Sequence, residues 1–151
     1  MIDLYRRDAG CTAAQYIRLH HVSDLLDEIG SLLRTYRHIT TFIFDDDIFT
    51  LDKDYLREFC PEYGKRYGVP FVCNAHVRFF DAEIAALLKQ AGCWMVKFGI
   101  ESGSEHVRQQ VLARRMSNAE VRNLAKEMFA KNLDYLSKAE ASNLIGHLLA
   151  Q

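Results

Sequence analysis

The stretch Thr41-Phe-Ile-Phe-Asp-Asp-Asp-Ile-Phe-Thr50 decides the fold class, because an apolar run with β preference leads directly into three aspartates. A short apolar run bounded by turn residues is typical of a buried strand, as in a parallel sheet. We predict a strand over residues 40–44 with the acids at its carboxyl end, which is where ligands bind in parallel α/β folds. A solvated turn that caps the next helix fits the triplet equally well.

Two further apolar runs along the chain show the same pattern, an apolar stretch that leads into polar residues. Residues 71–75 and residues 93–98 are each predicted to form a strand. Both runs end in polar residues, within positions 74–78 and 101–104. In a parallel sheet these strand ends converge on one edge, and the convergence indicates a site more strongly than any single motif does.

Apolar residues at helical spacing separate the runs, so helices and strands alternate along the chain. Short connections favour parallel βαβ units with right-handed crossovers, and the predicted fold class is α/β. Pro61 falls within the second predicted helix, where we expect a kink or a break. The capping residues that open the predicted helices are Ser23, Asp52, Asp81 and Ser117. One more predicted helix, after the third strand, carries Val107, Val111 and Leu112.

Composition narrows the function classes. The chain has 151 residues, 49% of them hydrophobic, which is enough for a core but short for an eight-fold barrel. A net charge of −1 does not suggest a nucleic-acid partner. No apolar run has the length of a membrane span and the first residues lack a signal-peptide core, so we expect a cytoplasmic location. The four cysteines lack metal-site spacing; they are Cys11, Cys60, Cys73 and Cys93. For Cys73 and Cys93, which lie in strand-like runs, we expect buried thiols.

The last segment differs in pattern from the rest. Residues 131–151 show no strand pattern, and Ser137 with Glu140 fits a capping box for a terminal helix. The apolar face of this predicted helix consists of Ala141, Leu144, Ile145 and Leu148. We therefore divide the chain into an irregular lead-in over residues 1–21, a partial barrel over residues 22–130 and a C-terminal helix over residues 131–151.

The strand ends carry a resemblance to a known family. The chain resembles the radical S-adenosylmethionine (radical SAM) enzymes, in the branch associated with cobalamin-binding domains. The residues that carry the resemblance are Asp46-Asp47-Ile48-Phe49-Thr50, Asn74, Arg78, Gly92-Cys93, Gly99-Ile100-Glu101-Ser102-Gly103, and Val111-Leu112 with Arg114 and Arg115. The resemblance extends over about residues 16–128.

This resemblance implies part of a TIM-like (β/α) barrel that holds S-adenosylmethionine against a 4Fe–4S cluster, where reductive cleavage yields a 5′-deoxyadenosyl radical. It places Asp46 and Asp47 at the methionine end of the cofactor, and Glu101 and Ser102 at the ribose or the carboxylate end. Arg78 would pair with the methionine carboxylate, and a salt bridge to the acidic turn is the alternative. Cobalamin would be held by a fused domain that lies outside these residues.

The chain departs from the family in its cluster-binding motif and in the later barrel strands, whose expected glycine-rich strand after Met128 is replaced by residues 131–151. The family binds its cluster through Cys-x3-Cys-x2-Cys, and this sequence contains no such motif. Iron–sulfur clusters need closely placed thiolates. We therefore expect a central fragment of such an enzyme, inactive alone in radical chemistry. We assign it no catalytic residue and no metal ligand.

Two rival functions remain open at this point. Asp45-Asp46-Asp47 can hold Mg²⁺ for phosphoryl or diphosphate chemistry, although no phosphate-binding loop accompanies the triplet. Alternatively, the chain is a non-catalytic α/β module whose last helix docks a partner. An incomplete barrel also leaves a sheet edge exposed, which predicts self-association.

Overall fold

The computed structural model describes residues 7, 10, 12, 17–129 and 145–146. The chain divides into two compact units, Met1–Thr35 and Tyr36–Gln151. In the first unit, helix α1 (Val22–Thr35) buries Val22, Leu26 and Ile29. The helix begins one residue before the predicted cap Ser23, and the His21 carbonyl accepts the amide hydrogen of Leu25 at 3.1 Å. The prediction that Ser23 is the cap is therefore wrong.

The second unit contains three parallel strands in sequence order: β1 (Phe42–Phe44), β2 (Phe71–Ala75) and β3 (Cys93–Phe98). Their register pairs Phe44 with Cys73, and Ala75 with Phe98. Strands β2 and β3 have the predicted bounds, and β1 is two residues shorter than predicted. The α/β class is confirmed, and because the strands are parallel, their carboxyl ends lie along one edge.

Two capped helices connect these strands. Helix α2 (Lys53–Arg66) begins where the Asp52 carboxylate accepts the amide hydrogen of Tyr55 at 3.0 Å. Helix α3 (Ala82–Ala91) begins with the same contact between Asp81 and Ile84. Both predicted caps are confirmed. Gly92 ends α3 in the left-handed conformation, with φ of 92°, which a glycine adopts without steric cost.

Pro61 lies inside α2, and the helix continues through it to Arg66. Of the two predicted outcomes the break is therefore absent, and the kink stays a prediction. Proline removes one helical hydrogen bond, and the burial of Leu56, Phe59 and Tyr63 on the inner face of α2 compensates for that loss.

An aromatic cluster joins β1, β2 and α2, and positions the acidic turn. Phe44 precedes the three aspartates and Phe49 follows them, and their rings stack with centroids 4.9 Å apart. Phe44 also meets the rings of Phe59, Tyr63 and Phe71 edge-on. Aromatic pairs at these separations add to the hydrophobic stabilisation of their own burial. The two ends of the turn are thus held in the core while its acids face outward.

After β2 the chain makes a short 3-10 turn (Val77–Phe79), and after β3 a π-helical turn (Val107–Val111) leads to helix α4 (Asn118–Phe129). Ser117 and Glu120 form a reciprocal capping box at the start of α4. The predicted helix over Val107, Val111 and Leu112 is only this π-helical turn. Val111 and Leu112 are exposed, at 68% and 44%.

The predicted C-terminal helix requires a correction. Ile145–Gly146 forms a two-residue strand, β4, which pairs antiparallel with Val96 and Lys97 of β3. The open edge of β3 offers ladder partners, and β-branched Ile145 suits a strand. The prediction of a helix is wrong at these two residues, and the rest of residues 131–151 lie outside the described residues. None of the described helices has the length and apolarity needed to cross a bilayer.

Candidate functional site

The acidic turn after β1 is tied to the end of β2 by Asn74. The Asn74 side-chain amide donates to Asp45 Oδ1 at 3.1 Å and to the Asp46 carbonyl at 3.0 Å. The Asn74 carbonyl in turn accepts from the amide of Phe49 at 3.0 Å. The carboxylates of Asp46 and Asp47 lie in exposed residues. The turn is therefore held through its backbone and through Asp45.

His76 connects the end of β2 to the loop that follows β3. Its Nδ1 accepts the amide hydrogen of Arg78 at 3.2 Å, so the proton of the neutral ring lies on Nε2, which is 3.4 Å from the Arg114 carbonyl. Loss of hydration lowers the pKa of His76 below its ordinary value. The neutral imidazole therefore serves as a bridge between two strand ends.

Arg78 does not form the salt bridge to the acidic turn that is the alternative to its pairing with a ligand carboxylate. Its Nε lies 3.2 Å from Glu120 Oε1, so the guanidinium pairs with the capping residue of α4 rather than with the acidic turn. Both side chains are partly exposed, and the pair leaves the guanidinium able to bind a further carboxylate. The capping-box hydrogen bonds from the backbone and side chain of Ser117 and the positive charge of Arg78 lower the pKa of Glu120.

Glu101 occupies a strained turn directly beyond β3. Its φ is +66°, and the Ser102 amide donates to the Ile100 carbonyl at 2.8 Å, which closes a γ-turn. Arg114 Nη2 donates to Glu101 Oε1 at 2.8 Å. A methyl group at Gly99 would lie 2.9 Å from that same oxygen, so the side chain of Glu101 folds back over Gly99. Strain of this kind persists where surrounding contacts determine the conformation, and it is concentrated at functional sites.

Arg108 lies behind this turn, and the sequence analysis missed it. Its side chain is 1% exposed, and it donates from Nη1 to the Ser102 carbonyl at 2.6 Å. The sequence pattern singles out only the apolar members of this segment, Val107, Val111 and Leu112, as candidates for burial. The structure instead buries the cation and exposes Val111 and Leu112.

The described residues do not provide a metal or cluster site. Among them, no group of three His, Cys, Asp or Glu side chains is placed to hold a metal ion. Cys60, Cys73 and Cys93 are buried free thiols, and the sulfurs of Cys73 and Cys93 are 4.0 Å apart. Burial raises the pKa of Cys60 to about 12, which disfavours the thiolate that a cluster requires. Asp45, Asp46 and Asp47 are among the described residues and do not form a group placed to hold a metal ion.

Hydrogen bonds thus link the carboxyl end of β1 to that of β2, and the end of β2 to the loop that follows β3. Asn74 links the first end to the second, and His76 links the second end to Arg114, which holds Glu101. No contact brings the carboxylates of Asp46 and Asp47 to Glu101 or Ser102. The roles of the five predicted site residues toward a ligand remain predictions; the five are Asp46, Asp47, Arg78, Glu101 and Ser102.

Comparison with known proteins gives a distant similarity. No protein-family model matches the chain. The chain is 28% identical over 137 residues to cytidylyl-2-hydroxyethylphosphonate methyltransferase of Streptomyces wedmorensis, a similarity that covers 82% of this chain and 25% of that protein. The chain therefore spans about a quarter of the length of this methyltransferase.

Proposed function

We propose that this chain is a fragment of a radical SAM enzyme and that it binds S-adenosylmethionine at the carboxyl edge of its parallel sheet. The observation that carries the proposal is the strained turn at Glu101, which lies within the Gly-Ile-Glu-Ser-Gly segment of the family resemblance. The similarity to a methyltransferase supports it, because a methyltransferase needs a methyl donor and S-adenosylmethionine is such a donor.

The residues of the turn suit the ribose end of this cofactor. Glu101 is exposed, and a carboxylate that accepts one hydrogen bond from Arg114 retains lone pairs for ribose hydroxyls. The Ser102 hydroxyl accepts the amide hydrogen of Ser104 at 3.1 Å and can donate its own proton to a ligand. In this proposal, the turn after β1 meets the methionine end through its backbone, and the Arg78 guanidinium binds the methionine carboxylate.

The described residues do not fit the family's iron–sulfur cluster. The thiols of Cys60, Cys73 and Cys93 are buried in the core, away from solvent. We therefore assign no radical step to these residues. In the proposal, cofactor cleavage and any cobalamin chemistry belong to the full-length enzyme, and this part contributes binding and orientation of S-adenosylmethionine.

The test is calorimetric titration of the whole chain with S-adenosylhomocysteine, which has the nucleoside and amino-acid groups without the reactive sulfonium. We expect saturable binding that Glu101→Gln weakens about tenfold, since a charge-assisted hydrogen bond contributes roughly 1.5–3 kcal/mol. The matched control is Glu62→Gln, a partly exposed glutamate on α2 that pairs with Arg66. Absence of binding by the unaltered chain, or equal effects of the two substitutions, would contradict the proposal.

A further inference from the structure

Arg108 is the largest of the fully buried side chains in the described part of the chain. Its guanidinium donates in three directions, to the Ser102 carbonyl at 2.6 Å, to the Met116 carbonyl at 3.3 Å and to Asn118 Oδ1. All three acceptors are neutral oxygens. Among the described residues Arg108 forms no ion pair.

A buried cation with only neutral acceptors is costly, because desolvation is offset by hydrogen bonds and not by an opposite charge. A methionine of similar length would fill the space without that cost. What only the guanidinium supplies is a rigid planar fork that joins several acceptors at fixed angles. Arg108 therefore contributes by fixing the positions of its acceptors, and not through a gain in free energy from its own burial.

The backbone of Arg108 reaches the other side of the same turn. Its amide donates to the Ser104 carbonyl at 3.0 Å, and its carbonyl accepts from the amide of Arg114 at 2.8 Å. Arg114 holds the Glu101 carboxylate. The side chain of Arg108 therefore fixes Ser102, while its backbone fixes the partner of Glu101.

We propose that Arg108 is a positioning residue that holds the Glu101–Ser102 turn in the shape that binds an adenosyl group. The proposal rests on the proposed function, because it concerns the same site. The unfavourable φ of Glu101 needs contacts on both sides of the turn to maintain it, and Arg108 supplies one on each side. Arg108 itself need not touch the ligand.

The experiment compares Arg108→Lys and Arg108→Met with Arg66→Met, in which an exposed guanidinium on α2 is removed. Titration with S-adenosylhomocysteine should show about tenfold weaker binding for Arg108→Lys, since a lysine keeps the charge but loses the fork. The Arg66→Met control should bind like the unaltered chain. Hydrogen exchange should accelerate at residues 99–104 in Arg108→Lys and remain unchanged in α2.

A double-mutant cycle separates positioning from a general loss of stability. Arg108→Lys combined with Glu101→Gln should bind no more weakly than the weaker single variant, because both act through one turn. Additive losses, or unaltered affinity in a folded Arg108→Lys, would overturn the inference and leave the proposed function standing. Unfolding of both Arg108 variants would also overturn it, since Arg108 would then support the whole fold. No binding by the unaltered chain would overturn both proposals.

Discussion

The carboxylate of Glu101 accepts a hydrogen bond from the guanidinium of Arg114 at 2.8 Å, and the accepting oxygen lies 2.9 Å from the place that a methyl group would take on Gly99. The backbone carbonyl of Arg114 also lies 3.4 Å from Nε2 of His76. Arg114 therefore connects the ends of β2 and β3, and sets the direction of the Glu101 carboxylate. The absence of a side chain at Gly99 is part of that arrangement, because the Glu101 carboxylate occupies the space that a side chain there would take.

Gly99→Ala should weaken cofactor binding without a comparable loss of stability. The added methyl group would lie 2.9 Å from Glu101 Oε1, so the flexible carboxylate must turn away. An exposed ion pair contributes at most about 1 kcal/mol, so we expect a change in unfolding free energy of that size or less. Affinity for S-adenosylhomocysteine should fall by about tenfold. Gly103→Ala is the control, because a methyl group there meets nothing within 4 Å; an equal loss of affinity in both variants would exclude the displaced carboxylate as the cause.

Local patterns predicted β2, β3 and the caps Asp52, Asp81 and Ser117, because each is determined by neighbouring residues. Apolar runs that follow Pro70 and Gly92 become strands, and short polar side chains before helices accept amide hydrogens. Parallel pairing of the strands then placed the polar ends on one edge.

The partners of the site residues could not be predicted in the same way. Glu101 with Arg114, and Arg78 with Glu120, are pairs separated by 13 and 42 positions that only the tertiary fold brings together. Burial of Arg108 likewise depends on backbone carbonyls that are free to accept hydrogen bonds from its guanidinium. The periodicity of apolar residues does not reveal where such carbonyls lie.

Phe49→Ala should destabilise the second unit by about 3–5 kcal/mol, a large part of a typical domain's stability. Phe49 is 7% exposed and contacts the rings of Phe44, Phe59 and Phe71. Urea denaturation followed by circular dichroism gives the free energy of unfolding. Phe79→Ala, at a side chain 39% exposed, should cost far less. Similar losses in the two variants would show that the aromatic cluster does not hold the acidic turn.

Stability should decrease as the pH falls below about 6.5, the ordinary pKa of histidine, and His76 should account for part of the decrease. Desolvation lowers its pKa in the folded chain, so the unfolded chain binds the proton at a higher pH than the folded chain does. The stability that the neutral His76 ring contributes is fully present above the pKa that His76 has in the unfolded chain. It is lost as the pH falls through the lower pKa that His76 has in the folded chain. In His76→Asn, whose side chain can still accept from the Arg78 amide, the unfolding free energy should change less between pH 7 and pH 5. Parallel curves for the two proteins would contradict the prediction.

Arg78→Met should distinguish the two ends of the proposed ligand. If the guanidinium binds the methionine carboxylate, the substitution weakens S-adenosylhomocysteine binding by roughly tenfold and leaves 5′-methylthioadenosine, which lacks the amino-acid group, unaffected. Glu120→Gln removes the ion-pair partner at 3.2 Å and keeps the side-chain length, so it controls for loss of that pair. Equal weakening for both ligands would show that Arg78 acts only through α4.

Ile43→Lys should suppress self-association of the chain. β1 is the outermost strand of the order β1-β2-β3-β4, and Ile43 at its centre is 61% exposed. Among the described residues β1 pairs with β2 alone, and we expect its other side to offer ladder groups to a second copy, which a lysine on an edge strand discourages. Sedimentation velocity over a range of concentrations should show association of the unaltered chain and a monomer for the variant. Val111→Lys changes a more exposed residue outside the sheet, and should associate like the unaltered chain; if it became monomeric as well, general surface apolarity rather than the edge of β1 would drive the association.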